Sequence, residues 1–472
     1  MSQLDQEVEP DEEVIEEAET APKRSKKNIA LLTALFAGVI VIVLLVSYLV
    51  RANADDGPDP VAVTVPVGLS EVALPNNSKL GVVVTLGSGT TEGSQWQQAA
   101  QGAVVAQQRL ELGGQELTLI TEDDGGSASG SAEAVQELID QGVAGIIYAS
   151  SGEHVDDGLA VAQEAEVPVI LPYSPAPQDA SNVWSLTPTA GETAATLSTE
   201  IAKFERPLHI NAGDDLPENI EVSDKVTFTS ETDTDDFSEE IALRTGADPY
   251  ANGAYTGGGE DDQAPAPVIE NPADVVVVSG PPVLQAHVVF ALQSGNVSVP
   301  IVLTEDAVSP RFDQTLIELG GTVSSNLRTV GATWDDGTAL GTTGQSRAMS
   351  AFLSATRQFA SDESLTNLTD DAPFAEAAAV ADVRGHDAVL AFSEALDRAG
   401  NTDPVKVAEE LSALELAAGN GIAGPALDFS QPHALTEEPT VLHASSQRLG
   451  LRPTNGESTD VLVWIPQPSD EQ

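Results

Sequence analysis

This chain is expected to be an α/β protein, with parallel sheets flanked by helices and one transmembrane helix ahead of them. Three observations lead there. Short, wholly apolar runs alternate with helical segments four times after Lys79, the run Asn28 to Val50 holds no charged residue, and no cysteine occurs in 472 residues to staple a loop-rich fold. Strands that read as continuous apolar runs are buried on both faces, which is the pattern of a parallel sheet covered by helices.

Residues 1–22 carry nine carboxylates and no aromatic side chain, so a disordered acidic tail is expected through residue 27. The next 23 residues, NIALLTALFAGVIVIVLLVSYLV, would reach about 34 Å as a helix, enough for a hydrocarbon core of about 30 Å. Lys23, Arg24, Lys26 and Lys27 flank one end and Arg51 alone the other. The positive-inside rule then puts the amino terminus in the cytoplasm and the main domain outside the cell membrane, single-pass. Ala52-Asn53-Ala54 has the A-x-A form of a signal-peptidase site. The apolar run is longer than the roughly 7–15 residues of a cleaved signal, so an uncleaved anchor is expected, followed by a linker over residues 51–78.

Each later element follows from its pattern. KLGVVVTL is a buried strand, and QWQQAAQGAVVAQQRLEL a helix ended by Gly113-Gly114. ELTLITED, GVAGIIYA and VPVILP are strands two to four, separated by the helices SAEAVQELIDQ and EHVDDGLAVAQEA. After the helix ETAATLSTEIAKFE the rhythm returns in PLHINA, KVTFTS, ADVVVVSG and VPIVLT, with the helices TDTDDFSEEIALR, VLQAHVVFALQSG and FDQTLIELGG. GADPYANGAYTGGGEDDQAPAP is too rich in Gly, Pro and acid for regular structure and reads as a surface loop. MSAFLSATRQFA is an amphipathic helix among loops, FAEAAAVADVRGHDAVLAFSEALDRAG one long helical region, VKVAEELSAL a further helix, and the end short strands.

Composition excludes several functions. Twenty Lys plus Arg face 74 Asp plus Glu, a net charge of −54, which opposes any grip on nucleic acid. Without cysteine there are no thiolate metal sites and no Cys nucleophile. In LGVVVTLGSGTTEG the glycines Gly87, Gly89 and Gly93 are spaced G-x-G-x-x-x-G, not G-x-G-x-x-G, and the turn lacks a basic residue, so no nucleotide cofactor is expected. Six histidines fall singly and no H-E-x-x-H, P-loop or G-x-S-x-G occurs. TDTDDF lacks the glycine and glutamate spacing of a calcium loop. No catalytic residue, metal or cofactor is assigned, and the chain is not read as an enzyme.

Small hydroxyl residues recur just past strand ends: Ser88 after the first, Ser150 and Ser151 after the third, Ser174 after the fourth and Ser279 after ADVVVV. Each alone is a common helix cap, but together they mark the crevice where an open α/β sheet binds small ligands.

The order of parts resembles the type I periplasmic solute-binding proteins of the leucine-isoleucine-valine-binding kind, which serve ABC importers. The likeness runs from Lys79 to Phe429, through GVVVTLGSGTTEGSQWQQAAQGAVVA, GVAGIIYASSGEH, VPVILPYSPAPQDASNVWSLTP, VPIVLTEDAVSP and RGHDAVLAFSEALDRAGNTD. It implies two α/β lobes joined by three crossings with a ligand between them, here residues 79–202 with 330–420 and 203–329 with 421–466. It also implies that Ser150, Ser151, Gly152 and Ser174 hold an amino-acid carboxylate, and that Glu305, with Asp306 beside it, meets the ammonium. The implied partners are a small amino-acid-like ligand and an ABC permease or other membrane protein. Departures are evident: Asp214-Asp215-Leu216-Pro217 and Pro281-Pro282 stand where the family has aromatics, the helix after PLHINA is cut short, and Tyr173 sits among small residues. Two readings remain open, an anchored protein that captures a small polar ligand for uptake or sensing, and a ligand-free scaffold or sensor that docks a partner protein.

Overall fold

Strand β1 (Ser78–Val84) is buried along almost its whole length, as its unbroken apolar run requires, and leads through two 3-10 turns into α1 (Gly102–Leu112). β2 (Leu117–Asp123), α2 (Ala128–Asp140), β3 (Ile146–Tyr148), α3 (Val155–Glu164), β4 (Val169–Leu171) and β5 (Val183–Ser185) complete a parallel sheet in the order β2-β1-β3-β4-β5. The computed structural model describes residues 67–87, 91–178, 180–248, 269–323, 326–446, 449–453 and 462–466. The expected acidic tail, the membrane helix 28–50, most of the linker and nearly all of the 246–267 loop lie outside the described residues. Among the described residues no helix is long and apolar enough to cross a membrane.

The chain then enters a second lobe. It begins with α4 (Ala190–Ile201), whose Thr189 and Glu192 form a reciprocal capping box, then β6 (Pro207–Asn211), β7 (Asp224–Thr227) and α5 (Thr234–Thr245). β8 (Val275–Ser279), α6 (Pro282–Ser294), β9 (Ile301–Leu303), α7 (Pro310–Glu318) and β10 (Leu327–Gly331) follow. α8 (Gly344–Ala360), α9 (Val383–Ala399), α10 (Pro404–Leu411) and the short pair β11 (Glu415–Leu416) and β12 (Leu427–Asp428) return to the first lobe. β13 (Thr440–Ser445) and β14 (Val463–Pro466) rejoin the second sheet, ordered β14-β13-β10-β9-β8-β6-β7; β13 pairs antiparallel with both β10 and β14, and the other neighbours pair parallel.

The crossings fall elsewhere than expected. α4 belongs with the second lobe, because Leu197 and Ile201 bury against Val275, Val277, Val302 and Val330, so the first crossing precedes α4 instead of following residue 202. β10 sits within the second sheet, which moves the second crossing just past Gly331. Residues up to about 435 stay on the first lobe, where Ser185 exchanges backbone hydrogen bonds with Pro432 and Ala434 and Trp184 Nε1 donates to the Phe429 carbonyl at 2.7 Å. The third crossing therefore lies after Leu435, not at 421. The long helix read over residues 374–400 is two 3-10 turns and then α9, since Asp382 caps a new helix by accepting the Arg384 amide.

Candidate functional site

The loops after β1, β3 and β4 are tied together by the hydroxyls expected to face a ligand. Ser150 is fully buried, its Oγ 2.6 Å from Thr85 Oγ1 and 3.2 Å from His154 Nε2, and its carbonyl accepts the Ser174 hydroxyl at 2.7 Å. Ser151 Oγ accepts Gln95 Nε2 at 2.8 Å and Trp96 Nε1 at 3.1 Å. Gly93 has φ +89°, and a Cβ there would lie 2.1 Å from Ser150 Oγ, so the third glycine of the first turn makes room for this knot. Gly152, at φ +127°, lies against the Glu92 side chain. Ser88 lies outside the described residues. Ser279 stands on the other lobe, 2.8 Å from His209 Nε2, and donates to the Asp214 carbonyl.

Asp124 is the hub beneath these loops. It accepts Thr85 Oγ1 at 2.7 Å, the Gly126 amide at 2.9 Å, and Tyr148 Oη and His154 Nε2 at 3.1 Å each. Burial alone would raise its carboxyl, but the hydrogen bonds from His154, Gly126 and Thr85 bring it below the ordinary range. Burial likewise opposes charge on His154, yet Asp124 and then Glu92, 3.6 Å from Nδ1, hold the imidazole above its ordinary value.

Between the lobes lies a cavity of about 290 Å³. Its first-lobe wall is aromatic: Trp96 and Tyr173 stack with ring centroids 4.6 Å apart and 3° between planes, and Trp334 stands nearby. The Arg384 guanidinium covers this wall, 4.6 Å from the Tyr173 ring centre and 4.9 Å from that of Trp96, while Asp382 binds it through Nε at 3.1 Å and Nη2 at 2.9 Å. The second-lobe wall is the turn after β9, with Glu305, Asp306 and Ser309, then Asp313 of α7 and Trp464 of β14.

Two lobes of this connectivity, each a wholly or mainly parallel sheet between helices and joined by three crossings, with a cavity at their junction, decide the architecture. This is the type I periplasmic-binding-protein fold. A family model described as periplasmic binding protein matches residues 78–222, the stretch in which the sequence resemblance is densest. No curated protein sequence matches the chain. Among solved structures, the chain is similar to a branched-chain amino acid transporter substrate-binding protein from Streptococcus pneumoniae in complex with isoleucine, at 16% identity and TM-score 0.55, covering 82% of this chain and 99% of that one. It is also similar to a leucine-binding protein from Thermotoga maritima, at 19% identity and TM-score 0.52, covering 78% and 95%. A third is an ABC transporter solute-binding protein from R. palustris in complex with benzoate, at 16% identity and TM-score 0.54, covering 83% and 98%.

Within this binding-protein fold the expected site residues separate. Ser150, Ser151 and Ser174 come together but face one another's loops, Ser279 belongs to the second lobe, and Glu305 lines the cavity. Burial is the main reason the Asp306 carboxyl rises to about 7, with Glu305 and then Asp214 adding to it. Asp313 also rises to about 7 through burial, opposed by the Leu462 amide, and Glu305 is raised by burial.

The described residues on either side of the β13–β14 connection contact different lobes. Arg452, between β13 and β14, binds Asp336 of the first lobe at 2.7 and 2.9 Å and donates to the carbonyls of Ala379 and Ala381, while Leu451 packs on the first-lobe core. Leu462 and Trp464, on the far side of that connection, pack on the second-lobe core, and Trp464 Nε1 donates to the Ala307 carbonyl at 3.0 Å. Sequence reading missed Trp96, Trp334, Trp464 and the arginines. The available signal was rarity, because three of only four tryptophans in the chain line one cavity.

Proposed function

We propose that this chain is a membrane-anchored extracellular solute-binding protein that captures a small polar ligand of amino-acid size between its lobes, for ABC-type uptake or for sensing. The observation that carries the reading is the interlobe cavity, whose two walls differ in chemistry: stacked aromatics on one lobe, Glu305 and Asp306 on the other. At about 290 Å³ the cavity lies near the lower end of the roughly 300–1,000 Å³ usual for ligand pockets. The helix 28–50 would hold the protein at the cell membrane with its amino terminus inside, and an ABC permease or another membrane protein would receive the signal or the ligand. Glu305 meets an ammonium group, as the resemblance implies. Ser150, Ser151 and Ser174 set the shape of the loops behind Trp96 and Tyr173.

The test is a thermal-shift screen of the full-length chain in detergent against amino acids, amines, small peptides and sugars. A ligand at 100 times its dissociation constant adds about 2.7 kcal/mol of stability. A saturable rise in melting temperature supports capture of that ligand. Cooperative melting with no shift across the panel overturns it and favours the second reading, a ligand-free scaffold, to which the internally satisfied serines and the Arg452–Asp336 pair also lend weight.

A further inference from the structure

The charges around the cavity do not balance. Its two arginines are each matched by an aspartate, Arg384 by Asp382 and Arg452 by Asp336, both through two hydrogen bonds. Neither is a spare positive charge for an incoming anion. Glu305, Asp306 and Asp313 also line the cavity; Asp313 accepts the Leu462 amide at 3.2 Å, and among the described residues none of the three forms an ion pair with a Lys, Arg or His side chain. The hydroxyls that would hold a carboxylate are already tied to Thr85, His154, Gln95 and Trp96. A second, independent sign of a missing partner is Ser309, in the same wall and 2% exposed, whose hydroxyl has no hydrogen-bond partner among the described residues. A buried hydroxyl is rarely left unpaired, and a donor placed in the cavity would satisfy it.

We infer that the cavity takes an organic cation without a carboxylate, an amine with an apolar or aromatic body, whose ammonium is bound by Glu305, Asp306 and Ser309 and whose body lies against Trp334 and Trp464. This rests on the binding reading above and narrows its ligand class. Carboxylates at a cavity wall, Asp306 and Asp313 half-buried and Glu305 more open, with no counter-charge favour a cation, because the ligand supplies the neutralisation that the protein lacks. Half-buried tryptophans add apolar contact and a face that attracts cations. A zwitterion or an anion would bring a carboxylate into the same field, where like charges at close range in a poorly solvated cavity repel.

Matched ligands isolate the charge. Isothermal titration of the full-length chain in detergent would compare 2-phenylethylamine, phenylalanine and phenylacetate, then 3-methylbutylamine, leucine and 3-methylbutanoate, with putrescine and choline as further cations. The expected result is saturable binding of at least one amine, tenfold or more tighter than its amino-acid counterpart, and no binding of the carboxylates. Asp306→Asn should weaken that amine at least tenfold while still melting cooperatively. Amino acids binding as well as or better than the amines would overturn the inference and leave the binding reading standing. So would an unchanged amine affinity in a cooperatively melting Asp306→Asn variant. Failure of every compound here and in the thermal screen would overturn both.

Discussion

Replacing Asp306 by Asn should make the protein more stable, and only above a certain pH. In the folded state this carboxyl is pushed from its ordinary 3.8 up to about 7, by burial first and by Glu305 and Asp214 next. An acid raised on folding keeps its proton in the native state while the unfolded chain has released it, so stability falls as pH climbs from about 4 to about 7 and stays lower beyond. That gap corresponds to about 4 kcal/mol at most, and solvent reaching the partly buried side chain cuts it to about 2 kcal/mol. The amide keeps the shape and removes the charge. Urea denaturation of the full-length chain at pH 4.5 and pH 8 should therefore show the variant gaining about 2 kcal/mol at pH 8 and little at pH 4.5. Equal effects at both values, or a loss at pH 8, would refute the assignment of an uncompensated, partly buried charge to this position. Paired with its expected loss of amine binding, the variant would show stability sacrificed at a site for function.

Further outcomes follow from other contacts. Arg452→Met breaks the two-bonded pair with Asp336 and frees two carbonyls, and should cost about 2–4 kcal/mol, with Asp336→Asn adding little once Arg452 is gone; a double-mutant cycle by urea denaturation measures the coupling. His154→Gln removes an imidazole whose value is raised on folding, so its contribution is present below about pH 6.5 and lost as pH rises through the raised value. The gap between wild type and variant, read from melting curves, should be larger at pH 5.5 than at pH 9. Trp96→Ala empties a buried stack against Tyr173 and Arg384 and should cost about 3–5 kcal/mol by the same denaturation assay.

The α/β architecture was legible because strands such as GVVV and DVVVV bury both faces and cannot alternate. β5 and β10 were not read, because VWS and LRTVG mix polar residues into short stretches set among loops and show no continuous apolar run. The break before α9 was hidden by an apolar run that looks helical throughout; it arises because Asp382 donates its amide to the Ala99 carbonyl and turns its carboxylate onto Arg384. Glu305 was reached through the resemblance, and it does line the cavity. The serines could not be judged from sequence, since a small hydroxyl past a strand end reads the same whether it faces a cleft or a neighbouring loop. Trp96, Tyr173, Trp334 and Trp464 come from four distant stretches, so no local spacing announces that they meet.

The most direct test of the cavity as a ligand site is tryptophan emission during titration with an amine. Trp96, Trp334 and Trp464 line it, whereas Trp184 is buried elsewhere against Phe429. A saturable change in emission for the full-length chain, absent when Glu305→Gln and Asp306→Asn are combined in a cooperatively melting protein, is the expected result. A flat titration, or one that survives those two substitutions, would contradict an amine site between the lobes.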